Sequence, residues 1–244
     1  EFGLGMLDEA VYAIAVENRY DPLAEYLLDC SEKWDGVERI DGFLVDYLDA
    51  EDSAYVRAVS RTFFLGAAHR GLASHGKPGV KFDMMLVLES RRQGAGKSSV
   101  VATLGGRWAI DDLSFADMQG KAGSEKIQGA WLAEIADLSG MRRADVQAIK
   151  AFLSRPADRY RPAYARRADT FKRRCVFVGS TNDGTYLLDP TGNRRFLPVR
   201  VTDEVIDLAP IERDREQLWG EATRAALAGE RPVLPREVWA AAGA

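Results

Sequence analysis

Cysteine is scarce in this chain: Cys30 and Cys175, far apart in sequence, are its only two. A disulfide framework is thereby excluded, and the two thiols read as core-filling groups of a cytoplasmic protein in a reducing compartment. Histidine is as rare, and His69 and His75 share no metal-ligand or triad spacing with any partner. Long apolar runs are missing too. The longest candidates, such as MMLVL at 84–88, are strand-sized, whereas a bilayer span needs roughly 20 residues. With no signal-peptide pattern either, the chain reads as having no membrane partner. It starts at Glu1-Phe2 without methionine, as an excised fragment would. Net positive charge is also absent: 33 basic residues against 37 acidic ones leave −4. The average hides an asymmetry, because residues 155–174 carry eight basic side chains against Asp158 and Asp169, a net of +6 in 20 residues. An acidic chain with one concentrated basic segment is a nucleic-acid candidate despite its isoelectric point.

A hydrophobic share of 46% is ample for a core. Leu4, Leu7, Val11 and Ile14 recur at helical spacing, as do Leu23, Leu27 and Cys30. Asp52 or Ser53 can cap a longer helix with Val56, Val59, Phe63 and Ala67 on its buried stripe, stopping near Gly71. After the SHGKPG loop the texture changes to short apolar runs alternating with helical segments, the mark of an α/β domain with a parallel sheet. Strands are expected at 84–88, 131–135, 175–179 and 195–201, the last on an edge because of Pro198. Helices are expected from about Gly96, over Ala144–Leu153 and over Glu212–Ala228, with a further turn near Trp239. Trp108 and Trp131 are expected to bury against the sheet. The expected organisation is a helical N-terminal subdomain at 1–76, an α/β core at 77–210 and a helical tail at 211–244.

The string LVLESRRQGAGKSSVVATL sets a strand, a glycine-bearing loop and a helix in the order a phosphate-binding loop needs. Glycines let successive backbone N–H groups converge on one concavity without a Cβ in the way, and the following helix adds its positive end. Gln93, Gly94, Ala95, Gly96, Lys97, Ser98 and Ser99 would form this cradle around ATP. Lys97 would reach the β- and γ-phosphates and Ser98 would bind magnesium. One departure stands out: the usual pattern has a glycine five residues before Gly96, and here that position is Arg91.

Hydrolysis needs an acid beside such a loop. WLAEIADL supplies Glu134 after an apolar run, with Asp137 three residues on, and CVFVGSTN ends on Asn182, whose amide combines donors with an acceptor. PGVKFDMMLVLE, QGAGKSS, WLAEIADL, KAFLSRPADRYRPAY, the strand ending in STN, and TGNRRFLPV, in this order, resemble the superfamily 3 helicases. Within them they resemble the virulence-associated protein E family of phages and mobile elements, over a stretch from Trp34-Asp35-Gly36 to about Val199. The resemblance implies a RecA/AAA+-like P-loop NTPase core in a replication protein that hydrolyses ATP with magnesium. Glu134 would be the acid that also holds the metal, Asp137 a secondary acid, and Asn182 the sensor. Glu134 and Asp137 are not adjacent, so which of them activates water stays open.

Arg194 and Arg195 follow a turn and open a strand, so their side chains should face opposite ways. One is expected to be an arginine finger reaching a neighbouring subunit's nucleotide, and the other a structural ion-pair partner. The family pattern makes the basic stretch a hairpin holding single-stranded DNA, headed by Lys150 and carrying Arg161, Tyr164, Arg166, Arg167 and Lys172. Arginines neutralise phosphates while aromatic faces stack on unpaired bases. The resemblance further implies a homo-oligomeric ring, often a hexamer, and a primase domain outside these residues. Two other functions stay open: a P-loop phosphotransferase, and a non-catalytic module that binds nucleotide or DNA.

Overall fold

The computed structural model describes residues 7, 9–11, 13–14, 20–73, 80–138, 141, 143–163, 167–182, 193–235 and 237–238. Residues 7, 9–11, 13 and 14 are helical, with Leu7, Val11 and Ile14 exposed; Leu4, the 74–79 loop and Trp239 lie outside the described residues. Helix α1 spans Pro22–Glu32. Asp21 accepts the Ala24 N–H at its start, and Pro22 sits where its missing N–H is harmless. After a single turn, α2 (Phe43–Asp46), comes α3 (Ala54–Gly71), capped by the Ser53 hydroxyl accepting from Val56 N–H. The expected stripe of α3 is buried throughout.

The remaining elements in chain order are β1 (Met85–Glu89), α4 (Lys97–Gly105), β2 (Ala109–Ile110), α5 (Phe115–Met118), α6 (Lys121–Lys126), β3 (Leu132–Ile135) and α7 (Arg143–Leu153). Then follow β4 (Ala157–Tyr160), β5 (Asp169–Lys172), β6 (Val176–Thr181), β7 (Phe196–Arg200) and α8 (Ala209–Leu227). Five strands form one sheet in the order β2-β3-β6-β1-β7, every pair parallel. Strands β4 and β5 form a separate antiparallel pair. Pro198 is tolerated because β7 is indeed an edge.

Both faces of the sheet are covered, which is why its strands read as unbroken apolar runs. Alternation sends Leu86 and Leu88 into one core with the helices α1, α3, α4 and α8. Met85 and Val87 enter a second core with Val146, Ile149 and Phe152 of α7. The helices expected as separate N- and C-terminal units thus share one hydrophobic cluster with the sheet. Trp131 is fully buried and donates its indole N–H to Ala67 O at 2.8 Å, while Trp108 is half-buried. Among the described residues no helix is long and apolar enough to cross a membrane.

Because β6 is inserted between β1 and β3, the chain leaving β1 crosses to the far edge before returning. A crevice opens at the strands' C-terminal ends where such an order reverses. Glu89, Ile135 and Thr181, the last residues of β1, β3 and β6, all end there.

Candidate active site

At that end lies a cleft of about 400 Å³, lined by residues 93–99, Ala136, Asp137 and the last residues of β6 through Asn182. All seven residues expected to form the cradle, Gln93 to Ser99, line it. Gly94 and Gly96 have φ of 78° and 97°, a left-handed backbone that L-residues rarely adopt. Added Cβ atoms would meet nothing within 4 Å at Gly94 and only Ile206 at 3.7 Å at Gly96, so dihedral freedom, not crowding, demands glycine here. Helix α4 begins immediately after, and its first N–H groups have no intrahelical partners.

The side chains expected around the cradle meet as follows. Lys97 is buried at 7% exposure and donates to Asn182 Oδ1 at 2.7 Å and to Arg92 O at 3.4 Å. Burial pulls its ammonium below the ordinary lysine range, with Glu134 and Asp203 opposing. Glu134 is fully buried, and its Oε1 accepts from the hydroxyls of Ser98 and Ser180, both at 2.8 Å. Its Oε2 is buried with no hydrogen-bond partner. Asp137 is exposed, lines the cleft and has φ of 54°, a left-handed conformation that Asp tolerates better than most residues. Glu134 and Asp137 are therefore not equivalent: one lies beneath the cleft and the other on its wall.

Among the described residues no group of three or more His, Cys, Asp or Glu could hold a metal ion unaided. The residues present do fit a magnesium ion that arrives with a triphosphate. Ser98 supplies a hydroxyl, Glu134 has an unused oxygen, and such ions are held by one or two carboxylates plus phosphates and water.

Asp203 was not singled out by any motif, yet it organises the start of the loop. One of its oxygens, Oδ1, accepts from Arg91 N–H at 2.7 Å and from the Ser90 hydroxyl at 3.3 Å, and Arg200 pairs with Oδ2 at 3.0 Å. These bonds, led by that from Arg91, hold its carboxyl below the usual aspartate range. The same connection adds an ion pair between Glu204 and Arg92 and a hydrogen bond from Ile206 N–H to Ala95 O. A carboxylate thus anchors the position where a glycine was expected. The Arg91 side chain is exposed and does not line the cleft.

Arg194 and Arg195 share a 3-10 turn, Asn193–Arg195, and β7 starts only at Phe196; this corrects the expected strand start at 195. Arg195 pairs with Asp83 at 3.2 Å, while Arg194 is exposed. The structure thus makes Arg195 the ion-pair partner. Parallel pairing sets Phe196 beside Met85 and Arg200 beside Glu89, so Arg194 lies at the end of the sheet away from the cleft. Five strand residues separate the two levels by roughly 17 Å.

The basic stretch forms the antiparallel β4–β5 pair, and several of its charges turn inward. Arg173 is buried against Asp158, with Nη2 to Oδ1 at 2.6 Å, and also donates to Phe152 O. Arg174 pairs with Asp21 at 2.8 Å. Lys150, expected to face DNA, lies in the last turn of α7, buried at 5% exposure beside Ile149. Arg161 and Arg167 are exposed, Lys172 is half-buried, and Tyr164 and Arg166 lie outside the described residues. Tyr160 and Phe171 pack on each other diagonally across the pair, their centroids 4.7 Å apart.

Comparison with solved structures agrees with this architecture. The chain is similar to "The A form apo structure of NrS-1 C terminal region-CTR" with a TM-score of 0.53 and 12% identity, over 91% of this chain and 53% of that one. A second structure, "The apo structure of NrS-1 C terminal region (305-718)", gives a TM-score of 0.48 at 12% identity over 90% and 51%. The chain spans about half the length of these structures, and the likeness to the first concerns the fold alone. Among curated proteins nothing matches. A family match covers residues 27–243, taking in the glycine loop, the buried acid, the strand leading into Asn182 and the β4–β5 pair. With nearly its whole length matched, the chain belongs to the virulence-associated protein E-like domain family.

Proposed function

We propose that the cleft is the P-loop site of an AAA+-like ATPase that hydrolyses magnesium–ATP, in a replication protein of a phage or mobile element. The observation that carries this reading is the meeting of three strand ends. A loop with two left-handed glycines presents Lys97 to Asn182 and Ser98 to a buried acid with one unused oxygen. A glycine turn that merely happened to precede a lysine would have no reason to bury that lysine beside an amide and an acid.

In this reading the N–H groups of the loop and of the first turn of α4 surround the phosphates. Lys97 exchanges Asn182 for a phosphate oxygen, which frees the Asn182 amide to orient the attacking water. Bound magnesium supplies Lewis-acid neutralisation of phosphate charge. Ser98 and Glu134 would hold it, Ser98 keeping its hydrogen on Glu134. Asp137, which lines the cleft, would polarise the water. The exposed arginines of the β4–β5 pair would grip single-stranded DNA, and ATP turnover would drive movement along it. The active form would be a homo-oligomeric ring, with a primase domain outside these residues.

Steady-state phosphate release from ATP, with and without single-stranded DNA, tests the reading. Wild type should release phosphate and be stimulated by DNA, while Lys97→Ala should fall at least about 100-fold, the loss expected for a group that stabilises transferring charge. ATP bound without turnover, at high protein concentration and with DNA present, would leave a binding module instead. Phosphate passed to a small acceptor would make the protein a phosphotransferase.

A further inference from the structure

Ser180 has no role in the phosphate-loop motif, yet its hydroxyl and its carbonyl both bond to parts of the site. Strand β3 pairs with β6 so that Glu134 lies beside Val178, and alternation puts Ser180 on the same face as Val178, one step closer to the cleft. Its hydroxyl donates to Glu134 Oε1 at 2.8 Å, the oxygen that also accepts from Ser98. Its carbonyl accepts from Leu138 N–H at 3.0 Å, which ties down the turn holding Asp137. Ser180 itself lines the cleft and is 7% exposed.

Taken with the ATPase reading above, on which it rests, we infer that Ser180 is a positioning residue for Glu134. A buried carboxylate can rotate about its terminal torsion, which is broad and nearly two-fold. A hydroxyl from Ser98 alone leaves the carboxylate on one donor, about which it can still pivot. The second donor pins Oε1 from the β6 side. Oε2 is then the oxygen left for the metal's water shell, consistent with its being buried and unpartnered. The β6 terminus thus serves three walls at once: Ser180 the acid, Thr181 O the Ser90 N–H, and Asn182 the lysine.

Ser180→Ala and Ser180→Thr test this, since threonine retains the hydroxyl. The first readout is binding of a fluorescent non-hydrolysable ATP analogue, with magnesium and with a chelator. In Ser180→Ala the magnesium-dependent gain in affinity should shrink about tenfold, the size of one lost charge-assisted hydrogen bond, while binding in chelator stays unchanged. The second readout is hydrolysis: kcat should fall, and KM should rise in step with the weaker magnesium-dependent binding. Ser180→Thr should recover both. A wild-type magnesium response and kcat in Ser180→Ala would overturn the inference, and so would a threonine variant as impaired as alanine, because packing alone would then explain the residue. If wild type binds the analogue but does not hydrolyse ATP, the magnesium response still decides Ser180 while the ATPase reading fails. If wild type binds no nucleotide, both fall together.

Discussion

Asp203 illustrates how a single side chain can substitute for a missing motif residue. The conventional glycine at position 91 would let the backbone turn freely; here Arg91 is held by its own N–H on Asp203. Asp203→Ala should therefore leave the protein folded but loosen the loop, raising the KM for ATP several-fold with a smaller effect on kcat. An unchanged KM would show that the loop keeps its shape without this anchor. Glu221 presents a different chemistry. Its carboxylate is buried at 4% exposure and accepts the N–H groups of Arg39 and Ile40, joining α8 to the connection between α1 and α2. Burial holds its carboxyl above the ordinary glutamate range, with those two N–H groups opposing. A raised folded value means the native state binds more protons than the unfolded chain. The contribution of Glu221 is therefore full below the unfolded value, about pH 4.3, and declines as pH rises through the folded one. Urea midpoints of wild type and Glu221→Gln between about pH 4 and pH 8 measure this. The difference should move in favour of glutamine as pH rises, and a constant difference would refute the assignment.

At the level of elements, the β4–β5 pair shows where charge counting stops being informative. The eight basic residues at 155–174 look alike in sequence, but Arg173 and Arg174 are committed to Asp158 and Asp21. Asp21 lies more than 150 positions away from Arg174, so no local pattern could reveal that pairing. Arg173 anchors the base of the pair, and its loss should strand a buried Asp158. Arg173→Ala is expected to lower stability by about 3–5 kcal/mol in a urea titration, the range for breaking a buried pair from one side. Arg161 and Arg167 are exposed and should act quite differently. Neutralising both should leave stability within about 0.5 kcal/mol. It should also weaken single-stranded DNA binding and flatten its salt dependence by about 0.7 in logarithmic slope per lost phosphate contact. Identical salt slopes in the two proteins would remove these arginines from the DNA path. The short elements β2, α5 and α6 went unread because spans of two to six residues carry too little periodicity. Asp203 escaped because an ordinary loop acid gains its role only once β7 pairs with β1.

For the whole molecule, the apolar runs made the central strands and the two-sided burial legible, since a covered parallel sheet leaves no polar alternation. Their order was not legible, because a run of apolar residues says nothing about its neighbour. That order has a mechanical consequence. Strand β7 runs parallel to β1, so Arg194 sits at the sheet's opposite end from the cleft of its own chain, roughly 17 Å away along the strand direction. An arginine there cannot complete the site beside it; if the protein closes into the proposed ring with this end at the heterologous interface, Arg194 would reach a neighbour's cleft instead. The consequence is testable by mixing two inactive proteins. On the proposed ring-ATPase reading Lys97→Ala would lack the phosphate grip and Arg194→Ala the finger, so neither alone should hydrolyse ATP appreciably. In an equal mixture that exchanges subunits, about a quarter of interfaces would join an intact cradle to an intact Arg194. Phosphate release should therefore reappear on mixing and rise with total protein concentration. If mixing restores nothing although both variants co-assemble with wild type, Arg194 is not a finger. If Arg194→Ala is active at every concentration, each site is complete within its own chain and the ring is not needed for hydrolysis.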